Sequence, residues 1–363
     1  MFSPHHATVE VNLSAIVQNW QLLRQTHSKQ HCAAVVKANA YGLGVEPVSA
    51  ALADAGCTHF FVATLAEAVE LRRLLTSQFI YVFSGVQKGE EHYFLEYNLL
   101  PVINDWSQFE RWEKAVENID AAPAALHVDT GMNRLGFTLD DIEKLALEPE
   151  RVAKAQIKLL MSHLACASDP AHPLNQQQVD RFLHARKCLP MLPASLANSA
   201  GIFLGKEYHH EMGRPGCALY GINPSDERPN PMQGVVTLTA PILQIRMVTA
   251  EFEPVGYSAT VEVPRGTRIA TVGIGYADGL HRILSGSQFG GYIGGHFAPL
   301  LGRVSMDLVM LDITRIPADV CYPTARVEFI GAHQLVDKVA SAAQTIGYEV
   351  LTSLSPRVAR VYR

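Results

Sequence analysis

Between residues 30 and about 222, short apolar runs alternate with stretches of helical periodicity. The runs are CAAVVKAN (32–39), HFFVATL (59–65), FIYVFSG (79–85), LLPVIN (99–104), AALHVDTG (124–131), IKLLMSHLA (157–165), PASLANSAG (193–201) and HEMGRPGCALYG (210–221). Most are apolar on both faces, as parallel strands buried between helices and a barrel interior must be. The stretches between them, EAVELRRLL and FERWEKAVENI for example, are long enough for crossover helices. Eight such units predict an α/β fold with an N-terminal (β/α)8 barrel; a doubly wound open sheet is the alternative. Ahead of them VEVNL alternates like a strand, and Ser14 is placed to cap a helix carrying Ile16, Trp20 and Leu23 on one face.

After PSDERPNPMQG (224–234), polar and proline-rich, the pattern changes. From VVTLTAPILQIRMV onward come β-like runs separated by Gly and Pro, and only VDKVASAAQTIG reads as a helix. This predicts a mostly β C-terminal domain. The expected division is a barrel domain over 1–228 and a mostly β domain over 229–363, with the side on which the VEVNL strand packs left open.

The 363 residues are 48% hydrophobic and 18% charged, with a net charge of −5, which excludes a disordered chain and favours neither nucleic acid nor an anionic membrane as partner. The N-terminus lacks the basic and apolar regions of a secretory signal, and no run is long and apolar enough to span a bilayer. Six cysteines without a CxxC pair argue against a disulfide framework and a zinc site, so the expectation is a cytoplasmic protein with reduced thiols and no metal. The HHE run at 209–211 supplies no further ligands at fixed spacing, and His5 and His6 read as solvated terminal residues.

In a (β/α)8 barrel the residues just past the strand C-termini build the active site. Here those positions hold Lys37, Arg134, His163, Asn198 with Ser199, and Arg214. Each alone has an ordinary structural reading; their coincidence at several strand ends does not. Lys37 sits among small and apolar residues with no acid close in sequence, so desolvation lowers its pKa toward the neutral nucleophile that forms an imine. Ser199, Gly216 and Cys217 can offer hydroxyl and backbone N–H groups to a phosphate without a Walker loop. Pyridoxal phosphate needs such a set.

VVKANAYG around Lys37, HVDTGMNRLGF (127–137), SHLA, ANSAG, GRPG, VGYSATV (255–261), GIGYADG (273–279) and GRVSMDLVMLD (302–312), in this order, resemble the bacterial alanine racemases over nearly the whole chain. The resemblance implies a pyridoxal 5'-phosphate barrel followed by a β domain, in a homodimer whose active sites are shared between subunits. It implies a two-base interconversion of L- and D-alanine, supplying D-alanine for peptidoglycan. Lys37 would then bear the cofactor and serve as the base on one substrate face, and Tyr257 from the partner subunit would be the base on the other. His163 would support Tyr257 and lean on Arg214, which faces the pyridine nitrogen. Arg134 matches the arginine at the cofactor phenolic oxygen and substrate carboxylate, and the Met306 backbone meets that carboxylate. Tyr41, Asn198, Ser199, Gly216, Cys217 and Tyr348 fall in the cofactor shell. Tyr276, Arg303, Asp307 and, displaced by one position, Asp169 match the access channel.

One departure bears on the chemistry. The family often carries a carbamylated lysine two residues before the Asp of DTGM, steadying the arginine matched by Arg134, and this chain has His127 there. A neutral hydrogen bond or a bound anion could substitute. The rival readings are a racemase of wider specificity that also takes serine, a non-catalytic pyridoxal-phosphate carrier on the same barrel, and a basic-amino-acid decarboxylase. The carrier lacks the VGYSATV tyrosine and the β domain present here.

Overall fold

The computed structural model describes residues 6–226 and 228–363; His5 lies outside them and His6 is exposed. The chain forms two compact units, one of Ile16–Gln233 and one of Met1–Ala15 with Gly234–Arg363.

In the first unit the eight apolar runs become eight strand positions: His31–Cys32 continuing as Ala34–Val35, then His59–Val62, Phe79–Val82, Leu100–Ile103, Ala124–His127, Ile157–Met161, Ala194–Ser195 and Met212–Gly213. From Ala34–Val35 to Ala194–Ser195, seven strands pair in parallel in sequence order. Met212–Gly213 pairs in parallel with His31–Cys32, and Arg214 N donates to Ala197 O at 2.9 Å. The eighth strand therefore bridges the seventh to the first, and the sheet closes into a barrel rather than ending in two open edges. Every residue of His59–Val62, Leu100–Ile103 and Ala124–His127 is buried, the two-faced burial that the unbroken apolar runs demanded.

Helix starts follow side-chain caps. Thr64 and Glu67 form a capping box before Leu65–Leu74, and Asp105 accepts from Gln108 N before Trp106–Ala115. The helix Leu13–His27 differs from expectation in its cap. Asn12 Oδ1 accepts from Ala15 N at 2.8 Å, and Ser14 lies within the first turn. Asn is as good a cap as Ser, and the strand before it ends at Val11, so the earlier position wins. Ile16, Trp20 and Leu23 are buried as a face, as their spacing required.

The second unit is built on the 12-residue strand Val236–Met247. Its first half pairs with Arg326–Ile330 and its second half with Arg268–Val272, and both are linked through Gly290–Ile293, His296–Leu301 and Val309–Asp312. Six mostly antiparallel strands thus form a ring. Thr8–Val11 joins this sheet, antiparallel to Val236–Met247 and parallel to Ala359–Tyr362. A separate hairpin, Phe252–Val255 with Val261–Pro264, packs Val255 and Val263 into a cluster with Val248, Ile269 and Leu301. Besides Val336–Ala342, a second short helix, Gly347–Thr352, is present that the sequence pattern did not announce.

Among the described residues no helix is long and apolar enough to cross a membrane, no three metal-type side chains form a metal site, and no cysteine is in a disulfide. In the HHE run, Arg186 donates to His210 Nδ1 at 2.9 Å and to Glu211 at 2.6 Å, which accounts for Glu211 structurally.

Candidate active site

The C-terminal ends of the barrel strands bring together Lys37, Asn104, His127, His163, Asn198, Ser199 and Arg214, each at or within four residues of its strand's end. Arg214 is buried and held by two of its three guanidinium nitrogens. One donates to Ser195 Oγ and another to the Ser162 carbonyl, while Nε is buried without a hydrogen-bond partner. Burial brings its pKa down to about 9, which still leaves it a cation at neutral pH. An unpaired buried N–H costs about 1–3 kcal/mol, so a donor left this way in a barrel mouth calls for an acceptor from a ligand.

Burial and the two arginine cations, Arg214 and Arg134, shift the protonation of the groups around them. Burial first, then Arg214 and Arg134, holds the His163 imidazole well below its ordinary value. Lys37 is lowered by burial, then by Arg134, with Glu67 opposing, and its Nζ lies 6.0 Å from the Phe83 ring centre. The site thus shifts Lys37 toward the neutral amine.

His127 is also buried and brought down to about 4 by burial and by Arg214 and Arg134, against Asp129. Its protonation pattern follows from its partner. Asn104 Nδ2 donates to the carbonyls of Phe83 (3.0 Å) and Val102 (2.8 Å), so Asn104 Oδ1 is an acceptor, and His127 Nδ1 meets it at 2.8 Å as a donor. A neutral ring bonded this way leaves Nε2 with its lone pair. The carbamate position therefore holds an uncharged acceptor nitrogen instead of an anion.

Beyond Lys37 the chain makes a left-handed turn. Ala38, Asn39, Ala40 and Tyr41 have φ of 53, 55, 51 and 54°. For residues other than glycine this costs about 1–2 kcal/mol each, and such a run persists only where its surroundings fix it. Ala40 N reaches Val36 O at 2.9 Å, Gly42 N reaches Ala38 O at 2.8 Å, and Asn39 Oδ1 accepts from Val45 N at 2.7 Å. At its end the buried Tyr41 ring stacks on Tyr220 with centres 4.6 Å apart. Gly216 makes room for it, since a Cβ there would lie 2.5 Å from Tyr41 Oη.

Ser199 and Gly216 lie together, with their polar groups bonded within the chain. Ser199 Oγ accepts from Gly216 N at 2.9 Å and from Ala218 N at 3.3 Å, so these amides are spent on the serine and its hydroxyl proton remains to donate. Cys217 is buried beside them in sequence. Asn198 is a loop brace: Oδ1 accepts from Gly201 N at 2.9 Å and Nδ2 donates to Leu164 O at 3.3 Å. Arg134 is exposed on the loop that folds back to let Phe137 N donate to His127 O at 2.8 Å.

Tyr257, Met306 and Tyr348 belong to the β unit. Tyr257 sits at the tip of the Phe252–Pro264 hairpin and is 69% exposed, Met306 is 53% exposed, and Tyr348 opens the helix Gly347–Thr352. The Met306 loop is tied to the GYADG loop: Ala277 N donates to Met306 O at 3.0 Å, and Arg357 bridges Asp278 (2.6 Å) and Asp307 (2.7 Å).

Sequence reasoning missed Glu67, Asn104, Ser162 and Ser195. Glu67 stands in TLAE, a capping-box pattern that marked it in advance. The other three gave no signal, because they matter through strand register.

Residues 11–224 match the family model for the alanine racemase N-terminal domain, and residues 235–362 match that for the alanine racemase C-terminal domain. The alanine racemase of Rhodospirillum rubrum is 45% identical over 98% of this chain and 96% of its own length, and the biosynthetic alanine racemase of Agrobacterium fabrum is 41% identical over 97% and 92%. The crystal structure of Bartonella henselae alanine racemase with covalently bound pyridoxal phosphate superposes with a TM-score of 0.93, at 39% identity, over 99% of each chain. With the closed barrel, the β unit and two family models that together span nearly all of it, this chain belongs to the alanine racemase family.

Proposed function

We propose that this protein is a pyridoxal-phosphate-dependent isomerase that interconverts L- and D-alanine, working as a homodimer with shared active sites in the cytoplasm and supplying D-alanine for peptidoglycan. The observation that carries the reading is the buried Arg214 cation with its unpartnered Nε, at the same end of the barrel strands as a lysine whose pKa burial and Arg134 lower. The residues present fit the cofactor. Arg214 Nε would donate to the pyridine nitrogen, Ser199, Tyr41 and the Gly216–Cys217 segment would hold the phosphate with Asn198 bracing their loop and Tyr348 completing the shell, and Lys37 would carry the group covalently. When bound, pyridoxal phosphate withdraws electrons and so makes the substrate Cα–H acidic.

The chain's own groups then move the proton. A guanidinium that does not surrender its proton keeps the pyridine nitrogen an acceptor, which moderates electron withdrawal and favours quick return of the proton to Cα. Lys37 Nζ takes or returns the Cα proton on one face. Tyr257 Oη of the partner subunit acts on the other, since inversion needs a donor opposite the acceptor. Its exposure in the single chain suits a group delivered to another copy. His163, neutral beside Arg214, orients that phenol, while Arg134 and the Met306 backbone take the substrate carboxylate.

A chiral assay of the purified protein on L-alanine, D-alanine, L-serine and L-lysine, each with pyridoxal phosphate, tests the activity. Interconversion of the alanine enantiomers with little turnover of the rest is expected. Comparable serine turnover replaces the proposal with a broader racemase. Borohydride reduction and peptide mapping place a pyridoxyl group on Lys37, and its absence there removes the reading.

A further inference from the structure

The left-handed turn after Lys37 is tied to the rest of the barrel by one carboxylate. Glu67 Oε1 accepts from Ala38 N at 2.7 Å; Oε2 accepts from Ala63 N at 2.7 Å and Thr64 N at 3.2 Å. The backbone N–H of Glu67 in turn donates to Thr64 Oγ1 at 3.3 Å. One side chain thus links the residue that follows Lys37, the exit of strand His59–Val62 and the start of helix Leu65–Leu74.

We propose that Glu67 is a positioning residue for Lys37: its carboxylate fixes the backbone from which the amine projects and sets a negative charge on the Lys37 side of the barrel mouth. The proposal rests on the reading of Lys37 as the cofactor-bearing lysine. Its warrant is the economy of the bonds. The amides of Ala40, Gly42, Leu43, Gly44 and Val45 bond within residues 36–45 and shape the turn, while Val36 N ties its entry to Phe61 O at 2.9 Å. The Glu67 bonds anchor it, and N–H to carboxylate bonds of 2.7 Å are of the stronger, charge-assisted kind. The capping box alone would use Thr64 Oγ1 and Glu67 Oε2; reaching Ala38 through Oε1 is additional.

The charge matters as well as the anchor. The groups facing Lys37 are Arg134 and His163 from other strand ends, the Phe83 ring, and Glu67. Burial and Arg134 push the amine toward neutrality, and Glu67 alone of these opposes them. Glu67 thus acts on the side of the protonated amine, against burial and Arg134, at a group that must both accept and return a proton.

The test uses the full-length cofactor-free chain and three variants, Glu67→Gln, Glu67→Asp and Thr64→Ala. Two quantities are read: amide hydrogen exchange of the segment 36–42, and the pH dependence of Lys37 acetylation by acetic anhydride. In Glu67→Gln, exchange of the segment rises by about tenfold, as loss of a charge-assisted bond implies, and the acetylation curve moves to lower pH. Glu67→Asp keeps the charge at shorter reach, so exchange rises while the curve stays near that of the parent. Thr64→Ala weakens only the helix cap and changes neither. If Glu67→Gln matches the parent in both readings, or if Thr64→Ala reproduces both effects, the proposal is overturned. Should Glu67→Gln fail to fold, the exchange reading on Glu67→Asp decides. If borohydride fixes no pyridoxyl group on Lys37 in the parent, the functional reading fails, yet exchange and acetylation still judge Glu67.

Discussion

Gly216→Ala is the substitution whose consequence the geometry states most directly. A Cβ at 216 would lie 2.5 Å from Tyr41 Oη, 3.3 Å from Tyr41 Cζ and 3.4 Å from Val35 Cβ. Only the hydroxyl oxygen is far inside contact distance, and it would have to retreat by about 1 Å to reach ordinary packing. Tyr41 has little room to retreat. Its ring stacks on Tyr220, whose hydroxyl donates to Val35 O at 3.0 Å, and its backbone ends the left-handed turn. Overpacking at such a site costs about 1–3 kcal/mol, which corresponds to a drop in melting temperature of roughly 2–10 °C for a unit of this size. Thermal unfolding of the cofactor-free protein, followed by near-ultraviolet circular dichroism, reads the loss, and titration with pyridoxal phosphate reads weaker binding alongside it. The double variant Tyr41→Phe/Gly216→Ala removes the one offending atom, leaving 3.3 Å as the nearest approach, so Gly216→Ala costs much less stability in the Tyr41→Phe background than in the parent. Additive effects, or an unchanged Gly216→Ala protein, would refute the claim that glycine at 216 exists to admit the tyrosine hydroxyl.

Lys37→Ala and Tyr257→Phe are each expected to be inactive, whereas mixing and reassociating the two restores about one quarter of parental activity, because random pairing puts one intact site in half the dimers; no recovery would show that both residues serve from the same subunit. Buried His27, His59, His127 and His210 all have pKa values lowered to about 4, chiefly by burial, from the ordinary 6.5. The unfolded chain binds these protons first as the pH falls, so stability is full above pH 6.5 and declines progressively toward pH 4; urea midpoints that stay constant across this range would contradict it, and His59→Gln should flatten the slope. Arg357→Met leaves the buried Asp278 carboxylate without its cation, which costs about 2–4 kcal/mol in stability and raises KM for alanine through the loosened Met306 loop; a change in kcat alone, with stability intact, would be the wrong pattern.

The barrel was legible because its strands are buried on both faces, so the apolar runs were unbroken and each of the eight could be counted. Lys37 and Arg214 were legible from where those runs stop. The left-handed turn was not, since Ala38, Asn39, Ala40 and Tyr41 carry no glycine to announce positive φ, and the bonds that hold it, local ones and the one to Glu67, form only in the folded chain. Lys37 read as having no acidic partner because Glu67 is thirty positions away, yet the strand His59–Val62 returns it to the same end of the barrel. Similarly, the sequence reading offered the Gly216 and Cys217 amides to a phosphate, and folding gives the Gly216 amide, with that of Ala218, to Ser199. The helix at Gly347–Thr352 escaped notice because six residues are too few for a period to emerge.

The strand Thr8–Val11 carries a consequence for synthesis. It lies between Val236–Met247 and Ala359–Tyr362, so it leaves the ribosome long before either of its neighbours exists. Its exposed edges and its apolar Val9 and Val11 side chains must wait while the whole barrel segment is made. A nascent chain of this kind is vulnerable at its front end until its back end arrives, and slowing elongation should raise aggregation even if the barrel itself folds promptly. The finished sheet, by the same token, sets Thr8–Val11 beside Ala359–Tyr362, so that freeing either strand means breaking the same ladder.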